Sequence, residues 1–314
     1  METSYQHIPV MCEQTLLQLA PALSTPNAIM VDATIGLGGH TQAALEQFPC
    51  LHVIGIDRDP QALELTRQRL ATVADRLETH QATFDQIPQV LADRQADAIL
   101  FDLGVSSLQI DSPARGFAYS VDTPLSMRMD NGPGLTAADV VNTYTTAELT
   151  RIFLRYGEDK HASRIAKAIV SARDDQPFAT SAQLVEVIAA AIPLGRPRSG
   201  HPAKRVFQAL RMEVNNEQEI LIQAVPAALT CLKLNARMAV LSYHSGEDRI
   251  VKRAFAEATS DQVPPGLVII PPQYQAQFRL VTRGAVKPST SEITQNSRSK
   301  PARLRVIERI KEKP

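Results

Sequence analysis

Tryptophan is absent from this chain of 314 residues, and phenylalanine and tyrosine bring the aromatic content to only 5%. Base-stacking platforms are therefore scarce, which by itself does not separate one nucleic-acid ligand from another. Cysteine is scarce too. Cys12, Cys50 and Cys231 are odd in number and far apart, which excludes a disulfide scaffold and a CxxC-type zinc site and fits a reducing cytoplasm. No apolar run approaches the ~18 residues of a membrane helix. Met1–Val10 lacks the basic and then apolar opening of a secretory signal. The expected location is thus cytoplasmic, with no membrane partner. No spacing of His, Cys and carboxylate argues for a metal.

Net charge is also missing, with 33 Lys and Arg against 33 Asp and Glu. The neutrality is uneven along the chain. Residues 41–111 hold eleven acids and five bases, whereas 195–211 hold five bases and no acid. Residues 279–314 hold ten bases and three acids. Local fields rather than totals steer nucleic acids, so a neutral sum can hide a basic surface.

What is present is a core-forming composition, 44% hydrophobic, arranged in alternating strand and helix signals. Ala28–Ala33, Leu51–Asp57 and Ala96–Leu103 read as strands, with a weaker one at 77–81. Asp59-Pro60 opens a helix, as a cap followed by a proline suited to the first turn. Strands apolar on both faces and separated by helices predict a parallel sheet covered on both sides. From residue 111 to 134 prolines and glycines predict an irregular loop. Helical periods follow at 136–144, 146–156, 160–173, 180–191 and 203–213. A further helix near 216–233 precedes strand signals at Arg237–Tyr243, Phe278–Thr282 and Leu304–Ile307, with a helix over 246–258 between the first two. Residues 288–302, rich in Ser, Thr, Asn, Lys and Pro, read as a mobile loop. The expected architecture is one α/β domain, residues 1–110 and 214–314, interrupted by an all-helical insertion over 111–213.

Only 14 glycines occur, below the usual ~7%, yet three cluster in Asp32-Ala-Thr-Ile-Gly-Leu-Gly-Gly-His40. Placed between a strand and a helix, they let the backbone turn tightly and approach a ligand beside helix amides. A triphosphate loop would need Gly-Lys-Ser/Thr, and here His40-Thr41 follows. A dinucleotide fingerprint counted from Gly36 would need Gly or Ala where Thr41 stands. Asp32 is awkward beside a pyrophosphate but suits a ligand with sulfonium and ammonium groups, such as S-adenosylmethionine. Asp57, at the end of the second strand, can accept both ribose hydroxyls or serve the turn before Asp59-Pro60. Phe84 can stack on adenine or pack in the core.

Further motifs complete a resemblance. They are Gly55-Ile-Asp-Arg-Asp-Pro60, Phe101-Asp-Leu-Gly-Val-Ser-Ser107, Arg115-Gly-Phe117 and Pro124-Leu-Ser-Met-Arg-Met-Asp130. His201-Pro-Ala203 with Arg205 and Ser242-Tyr-His-Ser-Gly-Glu-Asp-Arg249 follow in order. With the glycine loop, the chain from His7 to about Lys252 resembles the bacterial 16S ribosomal RNA cytosine-N4 methyltransferases, the ribosomal RNA small subunit methyltransferase H family. The resemblance implies a class I S-adenosylmethionine methyltransferase fold with a helical domain inserted after the fourth strand. It implies cofactor contacts at Gly38, Gly39 and His40, at Asp57 and Phe84, and at Asp102 and Gln109 around the methionine end. Its substrate would be a decoding-centre cytidine of 16S rRNA within the small ribosomal subunit. Ile35, Leu37, Leu108 and Gly246 depart from the family's usual residues, and Leu108 leaves the path towards Gln109 less defined.

The exocyclic amine of cytosine is a poor nucleophile, because its lone pair is delocalised into the ring. Acceptors at its two N–H groups would turn that lone pair towards the methyl. Asp102 and the oxygens of Ser106 and Ser107 are the candidates, and His244 is a further candidate for the base or a phosphate. Pro49-Cys50 lies outside the expected crevice, so a covalent cysteine route is disfavoured. Arg196, Arg198, Lys204, Arg205 and Arg211 are the expected RNA contacts, because cations, glycine and proline suit a loop that grips a backbone. Competing readings are an amino-methyltransferase for another nucleic acid, an RNA-binding ribosome-assembly factor of the same fold, and a nicotinamide oxidoreductase disfavoured by Asp32 and Thr41. The oligomeric state is not legible, and a homodimer stays open.

Overall fold

The computed structural model describes residues 9–106, 108–109, 112, 115–130, 132–192, 201–261, 263 and 271–312. The chain divides into two compact units, one joining Met1–Gly104 to Gln218–Pro314 and the other comprising Val105–Glu217.

The first unit begins with α1 (Cys12–Leu23), β1 (Ile29–Asp32), α2 (Gly39–Gln47), β2 (His52–Asp57) and α3 (Pro60–Arg69). It continues with β3 (Leu77–Gln81), α4 (Ile87–Leu91) and β4 (Ala96–Asp102). Neighbouring strand residues alternate between the two faces of the sheet. Val31, Ile54, Ile99 and Phe101 enter one core, and Met30, Val53, Ala98 and Leu100 enter the other. Both faces are covered, which is why these strands read as continuous apolar runs. Asp59 caps α3 by accepting a hydrogen bond from the Gln61 amide at 3.0 Å, with Pro60 in the first turn.

In the second unit, α5 (Ala137–Thr143), α6 (Thr146–Arg155), α7 (Ala162–Asp175), α8 (Ser181–Ala191) and α9 (Lys204–Asn215) share one core. Leu149, Ile152 and Phe153 on α6 show the i, i+3, i+4 spacing of an amphipathic helix, and all three are buried. Thr136 with Asp139 and Thr145 with Glu148 form reciprocal capping boxes that fix where α5 and α6 start. Among the described residues of 115–130 the segment read as irregular carries no α-helix and no strand beyond a single bridge of Pro124 to Thr180, yet it is firmly tied. Met127 donates to the Arg115 carbonyl at 2.9 Å. The buried Asn215 side chain accepts from the Met129 amide at 2.9 Å and donates to the Met127 carbonyl at 2.7 Å. Gly116 has a φ of 74°, and a Cβ there would meet the Pro124 carbonyl oxygen at 2.1 Å, so only glycine fits this turn.

The chain returns through α10 (Glu217–Thr230), β5 (Leu232–Ser242), α11 (Ser245–Ala258), β6 (Phe278–Leu280), α12 (Thr290–Gln295) and β7 (Arg303–Arg309). The sheet order is β3-β2-β1-β4-β5-β7-β6. β1 to β5 run parallel, and β7 is antiparallel to both β5 and β6. Two expectations need correction. β5 starts at Leu232 rather than Arg237, because a register shift against β4 and a left-handed Asn235 interrupt the apolar pattern that sequence periodicity relies on. Residues 288–302 are not a loop throughout. Ser289 caps α12 through the Glu292 amide, and Glu292 in turn accepts from the Met11 amide at 2.5 Å. The serines and asparagines that read as low complexity act here as helix caps.

Candidate active site at the carboxyl ends of the strands

The strand order reverses between β1 and β4, and open α/β sheets bind ligands outside the carboxyl ends of their strands at such a point. Three acids stand at those ends: Asp32 on β1, Asp57 on β2 and Asp102 on β4. Register makes them neighbours, since Asp32 lies opposite Gly55 on β2 and opposite Leu100 on β4.

The glycine loop after β1 is held from several sides. Gly36 and Gly38 take φ values of 51° and 73°, a region that favours glycine. The Gly36 amide donates to Asp57 Oδ2 at 2.9 Å, and its carbonyl accepts from the Thr66 hydroxyl at 2.6 Å. A Cβ at Gly38 would press on Thr66 Cγ2 at 2.9 Å. Behind the loop, a Cβ at Gly55 would lie 2.2 Å from Ile35 Cδ1, so the second motif's glycine makes room for the first motif's isoleucine.

The three acids differ in what they hold. Asp32 is 1% exposed; it accepts from the Thr41 hydroxyl at 2.7 Å and faces the Thr34 amide at 3.4 Å. Burial drives its pKa up, opposed by the Thr41 hydrogen bond. It therefore anchors the loop to α2 internally. Asp57 accepts from the amides of Asp59 and Gly36, both at 2.9 Å, and burial pushes its carboxyl up to about 6 against those two bonds. Each carboxylate oxygen can accept a second hydrogen bond. Asp102 retains 21% side-chain exposure. Its backbone amide donates to the Thr34 hydroxyl at 2.7 Å. Its Oδ1 accepts from the Tyr243 hydroxyl at 2.5 Å, and its Oδ2 lies 3.5 Å from His40 Nδ1.

His40 is buried at the first turn of α2, with Nε2 3.0 Å from the Val10 carbonyl. Phe84 meets Phe101 edge to face at 5.7 Å and is only partly buried. Beside it, Asp85 Oδ1 is buried without a hydrogen-bond partner among the described residues, an acceptor that suits an exocyclic amine. Together these residues fit a nucleoside ligand: a glycine cradle, a carboxylate with spare lone pairs, an aromatic edge and an orphaned acceptor.

The remaining candidates make contacts of their own. Ser106 and Gln109 belong to the helical unit. There Gln109 Oε1 accepts from the Ser106 amide at 3.0 Å, and Ser106 Oγ accepts from the Gln109 amide at 3.3 Å. His244 caps α11, its Nδ1 accepting from the Gly246 and Glu247 amides. Its Nε2 lies 3.1 Å from Glu247 Oε1. Glu247 reaches back to the Tyr243 amide, while Asp248 binds Arg303 and Arg305 of β7. Those bonds give the Glu-Asp pair of the last motif a structural duty. Lys204 and Arg205 are exposed at the start of α9, where Arg205 donates to the Glu158 carbonyl at 2.8 Å. Arg211 forms a two-point ion pair with Glu217 at 2.8 and 2.9 Å. Ser107, Arg196 and Arg198 lie outside the described residues.

Sequence reasoning gave no role to Tyr243. Its signal was positional. Asp102 pairs with Leu241 across β4 and β5, so a residue just past the end of β5 stands beside the acid that ends β4.

A parallel sheet closed by one antiparallel strand in this order, with a glycine turn after β1 and an acid ending β2, defines a class I S-adenosylmethionine-dependent methyltransferase. The chain belongs to the MraW methylase family, whose model matches residues 4–310. It is 50% identical over 312 residues to the ribosomal RNA small subunit methyltransferase H of Streptomyces avermitilis, covering 98% of each chain. It is 52% identical over 310 residues to the protein of that name from Thermobifida fusca, covering 98% of this chain and 94% of that protein. Among solved structures, an rRNA methylase from Streptococcus thermophilus aligns with a TM-score of 0.45 at 14% identity, covering 97% of this chain and 99% of that one.

Proposed function

We propose that this methyltransferase acts on ribosomal RNA in the cytoplasm, at the N4 amine of a decoding-centre cytidine of 16S rRNA presented by the small subunit. The names of its relatives support the RNA class, and the order of its motifs supports the cytidine amine. The observation that carries the chemistry is Asp102, an acid at the end of β4 that accepts from the Tyr243 hydroxyl and faces His40 of the glycine loop.

S-adenosylmethionine, once bound, would supply a methyl on a sulfonium, an N–C bond forming as the S–C bond breaks and leaves its electron pair on sulfur. The chain's own part is to place and to accept. Gly38, Gly39 and His40 bring the first turn of α2 to the ligand. Asp57 accepts the ribose hydroxyls, Phe84 and Asp85 flank the adenine, and Asp102 serves the methionine end. Asp102 also accepts an amine hydrogen and so turns the nitrogen lone pair towards the methyl. In-line transfer requires that alignment. The proton leaving the methylated nitrogen passes to the Asp102 carboxylate.

The helical unit contributes the RNA grip in this reading, through Lys204 and Arg205 together with Arg196 and Arg198. Arg211 already has its charge answered by Glu217, so its share is small. Mass spectrometry of rRNA from cells with and without the protein tests the assignment. The expected result is loss of one N4 methyl group on a single 16S cytidine, and unchanged 16S rRNA would overturn it.

A further inference from the structure

We infer that Tyr243 is a positioning residue for methyl transfer, acting through Asp102 by clamping one carboxylate oxygen while His40 faces the other. The inference rests on the reading of Asp102 given above, and it assigns a role to a residue outside the contacts that the motifs imply.

The geometry lies entirely within the sheet-bearing unit. Tyr243 follows β5, and its hydroxyl reaches Asp102 Oδ1 at 2.5 Å. Its ring lies over Gly104, where an added Cβ would stand 3.6 Å from Tyr243 Cδ2. Gly104 itself has a φ of 100°. The ring thus rests on the turn that follows Asp102, and the hydroxyl holds the acid itself. Its main chain is pinned as well, since the Tyr243 amide donates to Glu247 Oε2 at 2.7 Å. Burial first, then the Asp102 charge, push the phenol's pKa far up, so the hydroxyl keeps its hydrogen and donates it.

On the other side, a carbonyl only accepts, so His40 Nε2 carries the hydrogen that points at Val10. Nδ1 is thereby left towards Asp102 Oδ2 at 3.5 Å. Tyr243 thus holds the acid at Oδ1, and a carboxylate oxygen accepts more than one hydrogen bond, which admits an amine hydrogen as well. Other groups close enough to influence this set electrostatically are Asp32 on β1, Cys12 on α1, Glu247 on α11 and Glu292 on α12. All are carboxyls or a thiol. Against that surrounding the Tyr243 hydroxyl brings a donated hydrogen to Asp102 Oδ1.

Tyr243→Phe keeps the ring on Gly104 and removes only the hydroxyl. With small ribosomal subunits lacking the methyl group as substrate, turnover is expected to fall about tenfold or more, with the KM for the donor within about twofold. Loss of the donated hydrogen bond should also move the acid limb of the kcat profile upwards. A carbon-13 titration of the Asp102 carboxyl in the ligand-free protein should show a rise in the same direction, and it reads the folded state directly. Wild-type turnover together with an unmoved carboxyl titration would overturn the inference. Asp102→Asn separates the two layers. If it is inactive while Tyr243→Phe behaves as wild type, only the role of Tyr243 falls. If Asp102→Asn turns over normally, the reading of Asp102 falls and the inference with it.

Discussion

Asp57 offers the sharpest quantitative test, because burial pushes its carboxyl up to about 6 although two amides donate to it. Only the ionised form accepts two ribose hydroxyls while keeping both amide bonds. Its ionised fraction is nearly complete at pH 7.5 and about one part in ten at pH 5. Affinity for S-adenosylhomocysteine should therefore fall about tenfold between those values, equivalent to about 1.4 kcal/mol. Stability moves the other way. A carboxyl whose folded value lies above its ordinary 3.8 stabilises the fold fully below 3.8, and that contribution is lost as pH rises through about 6. Weaker binding at pH 5 would thus not reflect unfolding driven by this residue. Isothermal titration across this range reads the effect. Asp57→Asn is the control: it should bind about tenfold to a hundredfold more weakly at pH 7.5 and lose most of the pH dependence. Equal pH slopes in wild type and Asp57→Asn would refute the assignment.

Two further outcomes bear on the helical unit. Replacing Lys204 and Arg205 together by alanine should weaken RNA binding and make it less sensitive to salt. The slope of log affinity against log salt should fall by about 0.7 for each phosphate no longer neutralised, read by filter binding with circular dichroism as the folding control. Asn215→Ala leaves the Met129 amide and the Met127 carbonyl without their buried partner. It should cost about 2–4 kcal/mol, seen as a lower denaturation midpoint.

The fold was legible because its strands are buried on both faces and its helices carry standard caps. Val31, Ile54, Ile99 and Phe101 belong to a core that composition and run length reveal. The Asp59-Pro60 opening of α3 could likewise be read directly, since the cap and the proline act within a few residues of each other. The site was legible where a motif is local, as in the glycine loop, and opaque where partners are distant. Asp102 and Tyr243 are 141 positions apart, and Asn215 reaches Met129 across 86. Only the strand order brings the first pair together, and no periodicity encodes it. The same limit explains His244, whose place before a helix decides that its ring caps α11.

The three strand-end acids show how one backbone position acquires three duties. A strand end at the reversal of sheet order delivers a carboxylate to the crevice whichever strand supplies it. What each acid can then do depends on exposure and on the lone pairs that the protein leaves unused. Asp32 is buried against Thr41 and Thr34, so it serves the loop and not the ligand. Asp57 gives one lone pair per oxygen to an amide and keeps the other, which matches a vicinal diol. Asp102 is more open and is bordered by a hydroxyl and an imidazole, so side chains rather than amides stand at its carboxylate oxygens. Exchanging these surroundings, with the sequence of each strand untouched, would exchange the roles.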